Sequence, residues 1–159
     1  MQSAAATIRA ISATDHAVWL DMWNAYCAFY DVDIPERVTE STWQRIIAND
    51  VPVHALIAVS GSTGAALGFA NYVVHPFTWS ERPACYLEDL FVYAGVRGSG
   101  IGRALLERLI ALAEQHQWAR IYWLTRENNA VARRLYDRFC QADDFVHYVV
   151  TLDIALHKW

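Results

Sequence analysis

The chain has 159 residues, 55% of them hydrophobic and 19% charged, and a formal net charge of −4 at pH 7; this predicts one globular domain over residues 1–159. The acidic balance argues against nucleic acid as the main partner, because phosphate binding usually requires a basic surface. No apolar run approaches about 18 residues, which excludes a membrane span, and without a secretory signal at residues 1–10 we expect a cytoplasmic protein.

The first half of the chain predicts a strand, two helices and a β-hairpin. The first helix is indicated by an apolar stripe with a spacing of four residues, which consists of Val18, Met22, Tyr26 and Tyr30 with Trp19 and Trp23 beside them. In chain order we predict a strand at 7–10, helices at 12–30 and 39–49, and hairpin strands at 53–60 and 65–75.

The second half of the chain alternates strands and helices. We predict strands at 84–92, 120–125 and 145–156, and helices at 101–117 and 128–139. The order β-α-α-β-β-β-α-β-α-β is that of an α/β or α+β domain in which helices pack on a mixed sheet.

The three cysteines do not form a recognisable site. Cys27, Cys85 and Cys140 are odd in number, lack metal-like spacing and stand in apolar contexts. We therefore expect buried, reduced thiols and no metal.

Four of the 7 glycines lie between Gly95 and Gly102, where an apolar strand leads into a helix. A plain turn, a nucleotide-phosphate cradle or another anion site would each explain such a cluster. The spacing matches neither G-x-x-x-x-G-K-[ST] nor G-x-G-x-x-G. The N-terminus of a helix has about four unpaired N–H groups and a partial positive charge, and glycines let an anion approach them.

With its flanking strand, Arg97-x-x-Gly100-x-Gly102 resembles the acyl-CoA pyrophosphate loop of the GNAT superfamily of N-acetyltransferases. The resemblance covers roughly residues 53–152 and includes an Asn followed seven residues on by a Tyr, Asn129 and Tyr136. Within the family, "GFANYVVHPFTW", "CYLEDLFV" and "RGSGIG" look most like the diamine (polyamine and thialysine) branch. The resemblance implies a mixed, mostly antiparallel sheet flanked by helices, with acetyl-CoA as co-substrate.

The resemblance also implies how the cofactor is held. The backbone groups of Leu90 and Val92 bind the pantetheine arm, Asn129 contacts that arm further along, and an N–H near Phe91 or Val92 polarises the thioester. The pyrophosphate is received by Arg97, Gly98, Ser99, Gly100, Ile101 and Gly102.

Acetyl transfer to an amine requires a base, because an ammonium with a pKa of about 10.4 is ionised at pH 7. Glu88 is the leading candidate, since burial raises the pKa of a carboxyl towards a useful value. Strict alternation predicts that Glu88 and Asp89 project from opposite faces of their strand, with Tyr86, Leu90 and Val92 on the Glu88 side. A carboxylate paired with an arginine or capping a loop is the alternative, and His75 is the rival base.

Tyr136 matches the general acid of the family, which protonates the departing thiolate. From the residues alone it is a core tyrosine, because it shares a helical face with Leu135 and Phe139.

Two residues, Trp79 and Asp89, are predicted to bind the substrate. Trp79 aligns with an aromatic residue near the amine pocket of diamine acetyltransferases, where its face would hold an alkylammonium by a cation–π contact, and Asp89 would attract a cationic substrate. The sequence departs from the polyamine enzymes at Phe77, where they tend to have an acidic residue.

We therefore predict an acetyl-CoA-dependent N-acetyltransferase whose acceptor is a primary amine of a small molecule. A protein N-terminal or lysine acetyltransferase and a non-catalytic acyl-CoA-binding module are the alternatives. The apolar segment 145–152 predicts a homodimer.

Overall fold

The computed structural model describes residues 6–153, which form a five-stranded sheet with helices on both faces. The first four strands are antiparallel to their neighbours, and β4 and β5 run parallel. In sheet order the strands are β1 (Ala6–Ala10), β2 (Val53–Ser60), β3 (Ala66–His75), β4 (Ala84–Val92) and β5 (Arg120–Trp123). This mixed, mostly antiparallel sheet confirms the predicted fold class.

The α-helices cover the two faces of the sheet separately. They are α1 (His16–Phe29), α2 (Glu36–Ala48), α3 (Ile101–Gln115) and α4 (Ala130–Tyr136). Helices α1 and α2 build one apolar cluster against Phe69 and Phe91, and α3 builds the other against Leu56 and Leu87. Among residues 6–153, no helix is long and apolar enough to span a membrane.

Helix α1 buries most of the predicted stripe against the sheet. Met22 and Tyr26 are buried, Trp19 is fully buried, and Trp23 stacks on Trp19 with 5.5 Å between the ring centroids. Burial of the two large indole rings removes more apolar surface from water than burial of a valine, so they determine which side of α1 faces the sheet. Val18, at the start of the stripe, is 41% exposed, so its predicted place in the core was wrong.

The C-terminal part of the chain differs most from the prediction. Residues 145–153 form no strand, and the backbone of 145–152 makes no hydrogen bond to the backbone of any described residue; residues 154–156 of the predicted strand lie outside the described range. Cys140 is exposed, against the expectation of burial, because it lies beyond the end of α4 at Tyr136. Cys27 and Cys85 are buried and free, as predicted.

Candidate active site

Strand β5 pairs with only the first part of β4, and we call the open side of the remaining part of β4 the cleft. The register joins Ala84–Leu87 to Arg120–Trp123 and ends there. On the other side, β4 stays paired with β3 as far as Val92. Residues 88–92 therefore have one hydrogen-bonding edge without a strand partner, which suits a ligand with an extended, amide-containing arm.

A β-bulge in β4 lies at the start of this cleft. Asn71 of β3 pairs with Asp89 and Tyr72 pairs with Leu87, which leaves Glu88 without a partner in β3. Leu87 and Leu90 consequently pack against the same apolar cluster, although they are three residues apart. The predicted alternation was wrong for this strand, because the extra residue reverses the faces on its C-terminal side.

Glu88, the unpaired residue of the bulge, has the properties of a base. The residue is exposed at the cleft and its carboxyl accepts no hydrogen bond from the described residues. Burial among surrounding protein atoms, and then the charge of Asp89, raise the pKa of Glu88 to about 7. Such a carboxyl is half ionised near neutral pH, where it can accept a proton reversibly.

Asp89 lies on the α1 side of the sheet and is held by other side chains. Its Oδ2 accepts a hydrogen bond of 3.0 Å from Asn71 Nδ2, and the hydroxyl of Tyr26 is a second donor. Trp19 Nε1 donates to the amide oxygen of Asn71 at 3.4 Å. Burial raises the pKa of Asp89, while the two donors act in the opposite direction.

The glycine-rich loop between β4 and α3 presents free backbone N–H groups. Gly98 and Gly100 have φ angles of +81° and +91°, and a Cβ at either position would meet nothing within 4 Å. Among the described residues, no acceptor bonds the backbone N–H groups of Gly98, Gly100, Ile101, Gly102 and Arg103. Five free donors at a helix N-terminus fit the pyrophosphate of CoA.

Two residues of this loop stabilise it instead. The N–H of Arg97 bonds Ala94 O and that of Ser99 bonds Val96 O, while Arg97 Nε donates to Val92 O at 3.0 Å. Arg103, which the sequence analysis missed, joins the donors because it lies in the unbonded first turn of α3.

Asn129 and Tyr136 lie at the two ends of α4. Asn129 Oδ1 accepts from the N–H of Ala132 at 3.3 Å, so this side chain caps the helix. Tyr136 is half-buried against Trp123, with 5.3 Å between ring centroids, and burial followed by the nearby Tyr30 raises its pKa to about 12. Its hydroxyl is therefore protonated at neutral pH, and it donates no hydrogen bond to the described residues.

The loop between β3 and β4 lies at the opposite end of β4 from the glycine-rich loop. It carries Trp79, which is 81% exposed and contacts Phe77. His75 Nδ1 lies 2.7 Å from the carbonyl of Pro76, so in the neutral ring Nδ1 carries the proton and Nε2 accepts from the hydroxyl of Tyr122 at 2.8 Å. Both ring nitrogens of His75, the rival base, therefore have hydrogen-bond partners within the protein.

The sequence did not identify several residues near Glu88 as parts of the active site. Tyr26 and Asn71 bind Asp89, and Tyr86 stacks on Tyr122 with 4.9 Å between ring centroids. Tyr26 and Tyr86 carry only the signal of apolar periodicity, which does not distinguish a core tyrosine from one that hydrogen-bonds a carboxylate. Within residues 6–153, no group of three or more His, Cys, Asp or Glu side chains is arranged to hold a metal ion.

Comparison with known proteins identifies the family. The model of the acetyltransferase (GNAT) family matches residues 19–140, which include the bulge, the glycine-rich loop and Tyr136. The chain belongs to the GNAT family. It is an acetyl-CoA-dependent N-acetyltransferase.

Relatives in the GNAT family act on different amines, according to their names. The D-amino-acid N-acetyltransferase HPA3 of Saccharomyces cerevisiae is 31% identical over 141 residues, which are 89% of this chain and 88% of the relative. The spermine/spermidine N(1)-acetyltransferase of Bacillus subtilis is 37% identical over 79 residues, 48% of this chain and 52% of that protein. The crystal structure of the ribosomal-protein-alanine N-acetyltransferase of Brucella melitensis shares the fold, with a TM-score of 0.77, 22% identity and coverage of 93% and 100%.

Proposed function

We propose that this GNAT protein transfers the acetyl group of acetyl-CoA to the primary amine of a small molecule in the cytoplasm. The observation that carries the proposal is Glu88, a carboxyl with a pKa of about 7 where the cleft between β4 and β5 opens. The names of two relatives, which act on D-amino acids and on spermine or spermidine, support a small amine.

The proposed reaction is a direct attack in a ternary complex. Glu88 takes one proton from the substrate ammonium, and the neutral nitrogen attacks the thioester carbonyl carbon. The C–N bond forms, the C–S bond breaks, and Tyr136 gives its hydroxyl proton to the sulfur. The second proton that the nitrogen releases restores the Tyr136 phenol, and Glu88 returns its own proton to solvent.

The cofactor contacts are assigned to groups that the fold leaves free. The N–H groups of Gly98, Gly100, Ile101 and Gly102 hold the pyrophosphate, assisted by Arg103. The open edge of β4 receives the pantetheine arm through Leu90 and Val92, with Phe91 or Val92 as oxyanion donor. Arg97, Ser99 and Asn129 shape this site, and their contacts with CoA remain predictions.

The acceptor amine is proposed to enter past the loop between β3 and β4. Trp79 offers an exposed ring face there for an alkylammonium. Asp89 contributes its negative charge to the same region, although its carboxyl already binds Asn71 and Tyr26.

The assay that tests this function is release of free thiol from acetyl-CoA with a panel of acceptors. The panel contains a D-amino acid, spermidine, an aminoglycoside and a peptide with a free N-terminal alanine. Turnover with a small amine supports the proposal. Turnover with the peptide alone would establish the protein acetyltransferase, and CoA binding without turnover of any acceptor would establish the binding module.

Replacing Tyr136 with Phe should lower kcat by roughly 10²-fold, because the thiolate then leaves without a proton donor. The KM for acetyl-CoA should stay within about twofold, since the ring and its contact with Trp123 are retained. Steady-state kinetics measures both, and Tyr148→Phe, on an exposed residue, is the control. An unchanged kcat would remove Tyr136 from the mechanism.

A homodimer is part of this proposal. The C-terminal segment, residues 145–152, exposes Phe145, Val146, Tyr148, Val149, Val150 and Leu152, each by at least 57%. Exposed apolar side chains that stand together, rather than singly, mark surfaces that bind another protein. We propose that a second copy of the chain covers the C-terminal segment.

Introducing a charge in the C-terminal segment should therefore dissociate the dimer. Tyr148→Asp is expected to convert it to monomer at micromolar concentration, as measured by light scattering coupled to size exclusion. Val131→Asp, on an apolar residue of α4 that is 65% exposed, should leave the mass unchanged. A wild-type protein that is monomeric at that concentration would refute the dimer.

A further inference from the structure

The bulge that turns Glu88 towards the cleft is fixed by a pair of side chains at the register shift. Asn71 and Asp89 are cross-strand partners at that point and are joined by the 3.0 Å hydrogen bond from Asn71 Nδ2. Asn71 is only 3% exposed, so its amide has little access to water. Breaking this bond would leave buried polar groups unpaired, which destabilises the local structure.

Helix α1 secures the same pair from above the sheet. Trp19 Nε1 donates to Asn71, and the hydroxyl of Tyr26 donates to Asp89. Both aromatic side chains are buried in the cluster between α1 and the sheet. The position of the Asp89 carboxylate is thus determined by two strands and a helix rather than by a mobile loop.

We propose that Asp89 is the positioning residue of this active site: anchored by Asn71 and Tyr26, it holds the bulge that presents Glu88. This inference rests on the proposed function, in which Glu88 is the base. It gives Asp89 a role through Glu88 rather than through contact with the substrate.

The hydrogen bonds and charges around the two carboxyls support a role of Asp89 that is exerted through Glu88. Asp89 accepts two hydrogen bonds, which favour its charged form, whereas Glu88 accepts none from the described residues. The charge of Asp89 is the second cause, after burial, that raises the pKa of Glu88. The neighbours of Glu88 on β4 and β5, Tyr86 and Tyr122, both have a raised pKa and are neutral at pH 7.

The titratable groups that face Asp89 from the α1 side of the sheet do not supply a negative charge that could act on Glu88 in its place. Tyr26 of α1 and Tyr30, which follows α1, have raised pKa values, and Cys27 of α1 has a pKa of about 11, so all three are neutral at pH 7. Arg126, in the segment after β5, lies over the ring of Tyr30 at 5.6 Å from its centroid. Asp89 is therefore the anion that acts on Glu88.

A more basic Glu88 is useful for this reaction. The proton of an alkylammonium with a pKa of about 10.4 moves to the base, and the transfer becomes less unfavourable as the pKa of the base rises. At the ordinary carboxyl value of about 4.5, Glu88 would be a much weaker acceptor. The negative charge of Asp89 raises the pKa of Glu88 and so reduces the difference between that pKa and the pKa of the ammonium. Asp89 has this effect without contacting the amine.

Asp89→Asn tests the inference, because it removes the charge and keeps the size of the side chain. In kcat/KM against pH, the inflection near pH 7 should move down by about one unit, and CoA binding should stay within twofold of wild type. Asp144→Asn, on an exposed residue of the same type, should leave the profile unchanged. An inflection that stays near pH 7 in Asp89→Asn would overturn the proposal. A higher KM for the amine with the inflection still near pH 7 would also overturn it, because Asp89 would then act on the substrate and not on Glu88.

Circular dichroism shows whether Asp89→Asn folds. If it does not fold, Asp89→Glu tests the proposal instead, because this variant keeps the negative charge. This variant should retain the inflection near pH 7 and lose kcat, because the longer side chain disturbs the bulge; an inflection displaced downwards would overturn the proposal. Glu88→Gln distinguishes a failure of the proposed function, in which Glu88 is the base, from a failure of the role proposed for Asp89. If Glu88→Gln keeps the inflection near pH 7, Glu88 is not the base and the proposed function fails, whatever Asp89 does.

Discussion

Glu88→Gln should lower kcat with the best amine acceptor by roughly 10²–10⁴-fold at pH 7. The amide has nearly the same shape as the carboxylate but cannot take a proton from the ammonium. Because Glu88 is exposed and accepts no hydrogen bond from the described residues, the substitution should not disturb the fold. The large effect should therefore appear in kcat, with CoA affinity and unfolding free energy near the wild-type values.

Stopped or continuous detection of free thiol measures this effect, and calorimetric titration with CoA checks that the cofactor still binds. Glu114→Gln, which makes the same change on the exposed side of α3, is the matched control and should retain full activity. A Glu88→Gln enzyme with more than half of the wild-type kcat would show that another group deprotonates the amine.

Gly100→Val is expected to abolish measurable binding of CoA. The Cβ of Gly100 would project into open space beside the free N–H groups of the loop, where we place the pyrophosphate. A branched side chain there blocks the approach of an anion to the backbone. Loss of only two hydrogen bonds to a charged group, about 1.5 kcal/mol each, weakens binding about 100-fold.

A strain control separates this effect from a general loss of stability. Gly100 has a φ of +91°, so valine is strained there whatever space it has. Gly64, in the turn between β2 and β3, has a φ of +70° and equally open surroundings. Both valine variants should lose about 1–3 kcal/mol of unfolding free energy, but only Gly100→Val should lose CoA. Equal CoA affinity in the two variants would remove the pyrophosphate from this loop.

The glycine-rich loop could be predicted from the sequence because its signal is local. Glycines at a strand-to-helix junction determine the backbone conformation and the free N–H groups by themselves. Helix α3 follows the same logic, since Ile101, Leu105 and Leu109 have helical spacing in the sequence and are buried in the structure. These features depend on residues that are near one another in the chain.

The bulge at Glu88 and the fate of the C-terminal segment could not be predicted in this way. The bulge depends on how β4 aligns with β3, and Asn71 is 18 residues away from Asp89. The apolar residues at 145–152 indicate strand character, but a strand also needs a neighbouring edge, which the sequence does not name. The exposure of Val18 at the start of α1 likewise depends on how that helix packs on the sheet that buries Trp19.

The pH dependence of kcat/KM for wild type and Glu88→Gln tests the central claim most directly. The account predicts that the wild-type rate rises with pH through an inflection near 7, where Glu88 loses its proton. In Glu88→Gln this inflection should be absent, leaving only the rise caused by the amine itself near its pKa of about 10. The same inflection near pH 7 in both proteins would contradict the account.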